Sequence, residues 1–128
     1  MSKLTGALTA LSLLLAAPAA FAEGDVANGE KVFRKCAACH AVDPAAGNKA
    51  GPNLHGVIGR TTGTLEGFRF SPAMTEAGAG GQVWTEELLS SFLADPKSMM
   101  KGHKMTFAGL KKEEERADVI AFLKSKSE

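Results

Sequence analysis

The sequence predicts a small all-α domain, because apolar residues recur at helical spacing near both ends of the chain and no segment alternates for long enough to form a strand. In the first of these segments Val26, Gly29 and Phe33 recur at i, i+3 and i+7. In the last, the apolar positions 117, 120 and 123 recur at i, i+3 and i+6, and two further apolar residues widen the stripe. Both patterns are typical of amphipathic helices that bury one face.

Local signals place the elements from the first helix onward. A glycine inside a helix costs stability relative to alanine, so Gly29 predicts a close crossing with another helix. Ser71 followed by Pro72 predicts an N-cap and a first helical residue. Thr85 followed by two acidic residues predicts the start of a further helix, because acids are favourable in a first helical turn.

Composition limits the chain to one small domain. It has 128 residues, 15 Lys and Arg against 14 Asp and Glu, and two cysteines. This size excludes a two-domain enzyme, and the composition excludes a collagen-like rod or a disordered acidic tail. The balanced charge excludes the global field typical of nucleic-acid binding, and two cysteines cannot form a framework of several disulfides.

The first 22 residues resemble a targeting segment. Lys3 provides a positive start, an apolar stretch follows, and Ala20 and Ala22 are the small residues of a cleavage site after Ala22. We therefore expect a secretory signal peptide at 1–22 and a mature domain at 23–128, exported to an oxidising compartment. The alternative is an uncleaved membrane anchor, although Pro18 interrupts the apolar stretch and its Leu-rich part is short for a membrane span.

The two cysteines lie in the run Cys36-Ala37-Ala38-Cys39-His40, which is typical of covalent c-type haem attachment. Each thiol can bond one vinyl group, and the next residue presents an imidazole to the iron. A bare pair at this spacing could also be a redox-active dithiol, half of a zinc site or a local disulfide. A zinc site needs two more ligands at matched spacing, and a redox dithiol is expected between a strand and a helix. Haem attachment therefore fits best.

A methionine on the other side of the iron would distinguish an electron carrier from a protein with an open site. The candidates beyond the targeting segment are Met74, Met99, Met100 and Met105. Met105 is favoured because it lies in the glycine-containing stretch 102–107, which has no helical periodicity and could wrap over a haem edge.

The chain resembles class I cytochrome c of the mitochondrial-like bacterial subgroup, the c2 type. The matching landmarks follow the family order: Gly29, Phe33, the haem-attachment run at 36–40, Gly51-Pro52-Asn53-Leu54-His55-Gly56, Gly59-Arg60, Trp84, Asp95-Pro96-Lys97, Gly102-His103-Lys104-Met105 and the closing stretch 115–123. The resemblance implies a fold of helices and loops around one covalently bound haem c, with the first and last helices crossing at Gly29.

The resemblance also implies roles for individual residues. His40 and Met105 would be the axial iron ligands, and Cys36 and Cys39 would hold the haem covalently. The carbonyl of Pro52 would accept a hydrogen bond from His40, which fixes the tautomer of a metal-bound histidine. Arg60 and Trp84 would interact with a haem propionate.

The chain departs from the family pattern around the pocket. It contains no tyrosine, and it has Phe70, Phe92 and Phe122 where the family commonly has phenols. Met74 replaces a usual asparagine, and His103 replaces a usual threonine. These changes predict a pocket with fewer hydroxyl donors. His103 is expected either close to a propionate or as a solvated loop residue.

Six lysines match family positions around the exposed haem edge: Lys35, Lys49, Lys97, Lys104, Lys111 and Lys112. Acidic residues cluster instead at 113–118 on the predicted last helix, so we expect a dipolar molecule. The positive edge would dock transiently on acidic surfaces of redox partners, including membrane redox complexes. If the lysines are simply solvated, partner turnover would not depend on ionic strength.

The resemblance therefore implies a soluble, monomeric, periplasmic monohaem electron carrier and not an enzyme. It would shuttle single electrons between a quinol-oxidising cytochrome complex and an oxidase or photosynthetic reaction centre, in respiration or photosynthesis. One alternative is a haem-based ligand-binding or peroxidase-like protein with a labile sixth ligand. Another is a dedicated donor to one dehydrogenase or denitrification enzyme. No motif indicates nucleic-acid binding or a small-molecule substrate.

Overall fold

The computed structural model describes residues 23–127, so the predicted signal segment at 1–22 lies outside the described residues. Five α-helices follow in order: α1 (Val26–Phe33), α2 (Pro72–Ala79), α3 (Glu86–Ala94), α4 (Pro96–Met99) and α5 (Glu113–Ser125). A single 3₁₀ turn at Pro44–Ala46 follows α1. Between 23 and 127 the only β pairing is an isolated antiparallel bridge between Thr61 and Val83, so the all-α prediction is confirmed. In that same range no helix combines the length and apolarity that crossing a membrane requires.

Helices α1 and α5 cross at Gly29, as predicted. A Cβ built on Gly29 would overlap the carbonyl oxygen of Asp118 in α5 and would come within 2.7 Å of Phe122 Cβ. The rings of Phe33 and Phe122 pack with their centroids 5.3 Å apart. The Asp118 side chain also accepts a hydrogen bond from the backbone N–H of Asp25 at 2.7 Å, which joins the start of α1 to α5. The two ends of the domain therefore form one packed unit.

Helices α2 and α3 begin where their capping signals predict. The Ser71 hydroxyl accepts a hydrogen bond from the N–H of Met74 at 3.3 Å, and Pro72 is the first helical residue. The Thr85 hydroxyl accepts one from the N–H of Leu88 at 3.1 Å. Side-chain caps of this kind satisfy N–H groups that have no partner inside the helix.

Helix α4 is a single turn that the sequence analysis did not separate from its surroundings. Pro96 begins it, and Asp95 caps it by accepting hydrogen bonds from Ser98 N at 3.2 Å and Ser98 Oγ at 2.7 Å. Beyond it an irregular segment, 101–112, leads to α5. This segment carries Met105.

The hydrophobic core lies beneath helix α5, which contributes several of its most buried residues. Val119 and Ile120 of α5 are 2% and 1% exposed, and Leu110 at the end of the irregular segment is 2% exposed. Partly buried apolar residues, among them Cys36 and Met105, pack against this core. The core is thus continuous with the wall of the cavity described next.

Candidate haem site

A mostly apolar cavity of about 400 Å³ lies beside the core. Its lining includes all four residues that the sequence analysis assigned to covalent attachment or iron ligation, namely Cys36, Cys39, His40 and Met105. They come from two regions far apart in sequence, the end of α1 and the irregular segment before α5. The volume lies in the range typical of sites for small molecules and cofactors.

The attachment run continues α1 as helical turns. Cys36 N donates to Phe33 O at 2.8 Å, and His40 N donates to Cys36 O at 2.9 Å. Successive turns of this kind place positions 36, 39 and 40 on the same side of the backbone. The two thiols are not bonded to each other, and Cys39 is exposed. Burial raises the pKa of Cys36, so its thiol remains protonated near neutral pH.

His40 is held as the tautomer that leaves Nε2 free to bind a metal. Its Nδ1 lies 2.7 Å from the carbonyl oxygen of Pro52. A carbonyl can only accept, so Nδ1 carries the proton and the neutral ring presents the lone pair of Nε2. Burial lowers the pKa of His40, which keeps the imidazole neutral; the hydrogen bond to Pro52 opposes this more weakly. The contact that the resemblance implied is therefore present.

Gly51 explains how the ring can lie so close to the backbone. A Cβ at this position would be 2.5 Å from His40 Cε1 and 2.9 Å from Nε2. Gly51 is buried and lines the cavity. In the sequence Gly51 is only a landmark of the family resemblance and has no predicted role. The only sign in the sequence of its close contact with His40 is its position one residue before Pro52.

The structure reduces the four methionine candidates to two. Met74 and Met105 line the cavity. Met99 is 41% exposed, and Met100 is buried in the core outside the cavity lining. Met105 is presented by the irregular segment, as the sequence analysis predicted for a loop over the haem edge, whereas Met74 lies in α2.

The lining fits a covalently bound haem. Two thiols and one imidazole lie at one wall, two thioethers also line the cavity, and apolar side chains such as Trp84, Leu89 and Phe92 provide the rest. Sulfur and imidazole are the axial donors of c-type haems. Among the described residues no group of three or more His, Cys, Asp or Glu side chains is arranged to hold a metal ion.

The two residues expected at a propionate occupy different places. Trp84 lines the cavity and is 7% exposed. Arg60 lies outside the cavity lining; its Nη1 donates to Asn53 O at 3.1 Å and its Nη2 donates to the carbonyl of His55. Arg60 therefore stabilises the loop that follows Pro52 by hydrogen bonds to its carbonyl groups. For both Arg60 and Trp84 a contact with a propionate stays a prediction.

Some of the residues that depart from the family pattern line the cavity. Phe70, Phe92 and Met74 line it, whereas Phe122 packs on α1 and is absent from the lining. If the resemblance holds at these positions, the loss of hydroxyl donors that it implies would affect the cavity at 70 and 92. Ser71 and Thr106 also line the cavity, and the sequence analysis did not identify them.

His103 does not match the expectation of a solvated loop residue, and a position close to a propionate stays a prediction. It is half-buried and does not line the cavity. Its ring packs edge-on against Phe92, with centroids 5.9 Å apart, and Phe92 in turn packs against Trp84 at 5.1 Å. The Nδ1 atom is buried without a hydrogen-bond partner in the described structure. His103 thus packs behind Phe92 and is not a solvated loop residue.

All six lysines assigned to the haem edge are exposed. Lys35 and Lys104 line the mouth of the cavity. Three of the six donate to backbone carbonyls: Lys49 to Ala37 at 3.0 Å, Lys104 to Arg69 at 3.1 Å and Lys111 to Ala94 at 2.9 Å. Lys35 instead forms an ion pair with Glu115 of α5 at 3.2 Å. The positive edge and the acidic start of α5 are therefore in contact at this pair.

Known proteins resemble the chain over this whole region. The family model for cytochrome c matches residues 26–127. Cytochrome c-550 of Ancylobacter novellus is 54% identical over 99 residues, which cover 77% of this chain and 92% of the relative. Cytochrome c2 of Agrobacterium tumefaciens (strain II Chrys) is 50% identical over 101 residues, covering 79% and 91%. The structure of cytochrome c2 from Rhodospirillum Centenum aligns with a TM-score of 0.78 at 42% identity, over 82% of this chain and 100% of that chain.

Proposed function

Since this chain belongs to the cytochrome c family as a class I cytochrome of the c2 type, we propose that it carries electrons in the periplasm, from a quinol-oxidising cytochrome complex to a terminal acceptor. The acceptor would be an oxidase or a photosynthetic reaction centre. Membership in this family makes the chain an electron carrier with one covalently bound haem c, and not an enzyme. Other redox proteins are its partners.

One observation supports the proposed ligand set above all others. Cys36, Cys39, His40 and Met105 line the same cavity although His40 and Met105 are 65 positions apart in the sequence. His40 would be the proximal ligand and Met105 the distal one. Ligation by histidine and methionine closes the iron to other ligands and raises its reduction potential.

When bound, the haem supplies the redox chemistry, because its iron gains or loses one electron while no substrate bond changes. The chain provides the surroundings. Cys36 and Cys39 would fix the haem in one orientation, and the Pro52 carbonyl orients His40. With the haem bound, the mostly apolar lining would keep water from most of the group, so little solvent reorganisation would accompany electron transfer.

Docking is proposed to use the lysines at the haem edge. Lys35 and Lys104 are the best placed of the six, because they are both exposed and part of the cavity lining. Positive charge at the mouth would steer the cavity edge toward acidic partner surfaces, and salt would weaken this attraction. The remaining four lysines would extend the same positive surface.

The visible spectrum of the haem-loaded protein tests the ligand set directly. We expect a low-spin spectrum with a weak sulfur-to-ferric-iron charge-transfer band, with no change on adding carbon monoxide to the reduced form. A high-spin spectrum, or ready uptake of carbon monoxide at neutral pH, would contradict the closed site. That result would favour a ligand-binding protein with a labile sixth position.

Export is tested separately by cell fractionation and intact mass. We expect the haem-loaded protein in the periplasmic fraction with Glu23 as its first residue, because the predicted signal peptide ends at Ala22. Recovery in the membrane fraction, with residues 1–22 retained, would instead support the uncleaved anchor.

A further inference from the structure

Met105 lies in a segment that has little regular structure of its own. The irregular segment 101–112 contains no helix, and its backbone pairing is sparse within the described residues. His103 N donates to Met100 O at 3.4 Å, and the next backbone hydrogen bond is from Leu110 N to Leu93 O at 2.7 Å. Between these two points Lys104 Nζ donates to Arg69 O at 3.1 Å, so the position of Met105 depends on this exposed contact and on the anchors at the ends of the segment.

Arg116 of α5 joins the end of this segment to two helices. Its Nη1 donates to Leu110 O at 2.8 Å and to Lys111 O at 3.0 Å, and its Nε donates to Ser90 Oγ of α3 at 3.2 Å. Ser90 and Leu110 are both buried. One half-buried guanidinium therefore connects α3, α5 and the segment that carries Met105.

Two further contacts hold the same point against α3. Lys111 Nζ donates to Ala94 O at 2.9 Å. Gly109 lies so close to the end of α3 that a Cβ would be 2.5 Å from Ala94 O. Lys111 is exposed, whereas the Arg116 contact with Leu110 is half-buried, so of the two side chains that hold this point Arg116 is the one that water competes with less.

We propose that Arg116 is a positioning residue that holds Met105 at the iron and so keeps the sixth position closed to other ligands. This inference rests on the proposed ligation by Met105. A carbonyl that accepts from a guanidinium forms a charge-assisted hydrogen bond, which is stronger than a neutral one. Loss of the two carbonyl contacts would let the segment open from its Leu110 end and carry Met105 away from the iron.

Imidazole affinity of the ferric haem-loaded protein measures this opening. Imidazole can bind only when Met105 has left, so its apparent affinity rises in proportion to the open fraction. We expect Arg116→Leu to bind imidazole at least about tenfold more tightly than the wild-type protein, equal to about 1.4 kcal/mol. The charge-transfer band should weaken in the same variant.

Ala121→Gly is the matched control. Ala121 lies in α5 but outside the contacts that hold the segment, and glycine lowers the stability of a helix. For this variant we expect an apparent imidazole affinity within about twofold of that of the wild-type protein. If Ala121→Gly and Arg116→Leu increase affinity alike, or if Arg116→Leu leaves it unchanged, the proposal is wrong.

Arg116→Lys keeps the experiment decisive if the leucine variant does not yield haem-loaded protein. Lysine retains the charge but loses the planar group whose nitrogens reach Ser90 and both carbonyls. We expect an increase in affinity smaller than that for leucine, and a value equal to wild type would overturn the proposal. The spectrum of the wild-type protein tests ligation by Met105 separately. If the sixth position is open in the wild-type protein, the proposed ligand set is wrong whatever the Arg116 variants show.

Discussion

His40 donates a hydrogen bond from Nδ1 to the carbonyl oxygen of Pro52 at 2.7 Å, and Gly51 lies directly against the same ring. The short step from Gly51 to Pro52 therefore both orients the imidazole and leaves space for it. A side chain at position 51 would occupy the space of the His40 ring. Gly51 therefore leaves room for the ring that the Pro52 carbonyl orients.

Gly51→Ala should disturb His40. The added Cβ would lie 2.5 Å from His40 Cε1 and 2.8 Å from Nδ1, so the ring must shift from the position in which Nδ1 donates to Pro52. We expect a lower urea midpoint for the haem-loaded protein and loss of the low-spin spectrum at a higher pH during acid titration. Gly80→Ala is the control, because its nearest contact would be 3.4 Å away. Equal behaviour of the two variants would show that His40 tolerates the side chain.

Gly29→Ala should destabilise the crossing of α1 and α5. Alanine is favoured over glycine in a helix by about 1 kcal/mol, but the added Cβ would overlap the Asp118 carbonyl. Overpacking of this kind typically costs about 1–3 kcal/mol, and here the obstacle is backbone that cannot rotate away. We expect a net loss in the free energy of unfolding, measured in urea against Gly80→Ala. A gain in stability would mean that the helices can separate without cost.

Met105→Ala and Met74→Leu should distinguish the two thioethers of the cavity. If Met105 is the distal ligand, Met105→Ala loses the charge-transfer band and binds carbon monoxide in the reduced form. Met74→Leu should retain the band, because leucine preserves most of the packing volume in α2. The reverse pattern would assign ligation to Met74.

Asp95→Ala should destabilise the protein in a pH-dependent manner. Hydrogen bonds from the Ser98 hydroxyl and Ser98 N–H lower the pKa of Asp95 below its usual value of 3.8. A carboxylate whose folded pKa is depressed contributes stability above its unfolded pKa, and this contribution disappears as pH falls through the folded pKa. We expect the difference in urea stability between wild type and Asp95→Ala to be constant near neutral pH and to shrink below about pH 4. A difference that does not change in acid would exclude a charge-dependent cap.

Lys104→Glu should slow electron transfer to an acidic partner. Lys104 is exposed and lines the cavity mouth, so reversing its charge opposes attraction at the proposed docking edge. Lys126→Glu is the control, since Lys126 lies beyond α5 against the Phe122 ring and outside the cavity lining. We expect a lower second-order rate for Lys104→Glu at low salt, with the variants converging as salt rises. Equal rates for both variants at low salt would favour simply solvated lysines.

The sequence by itself determined the helices at both ends, the caps at Ser71 and Thr85, and the attachment run at 36–40. These features depend on neighbours within a few positions, and periodicity and capping chemistry report such neighbours directly. The landmark run at 51–56 also indicated the Pro52 contact, but only through its resemblance to a family. Residues 1–22 remain a sequence prediction.

Only the tertiary structure decided which methionines reach the cavity, where Arg60 donates its hydrogen bonds, and that His103 packs behind Phe92. The same is true of the contact between Lys35 and Glu115, which are 80 positions apart. These relationships join segments that are distant in the chain, and their geometry depends on how helices and loops pack around the cavity. Local patterns carry no information about such distances, because each side chain can satisfy its own burial or hydrogen bonding in several different folds.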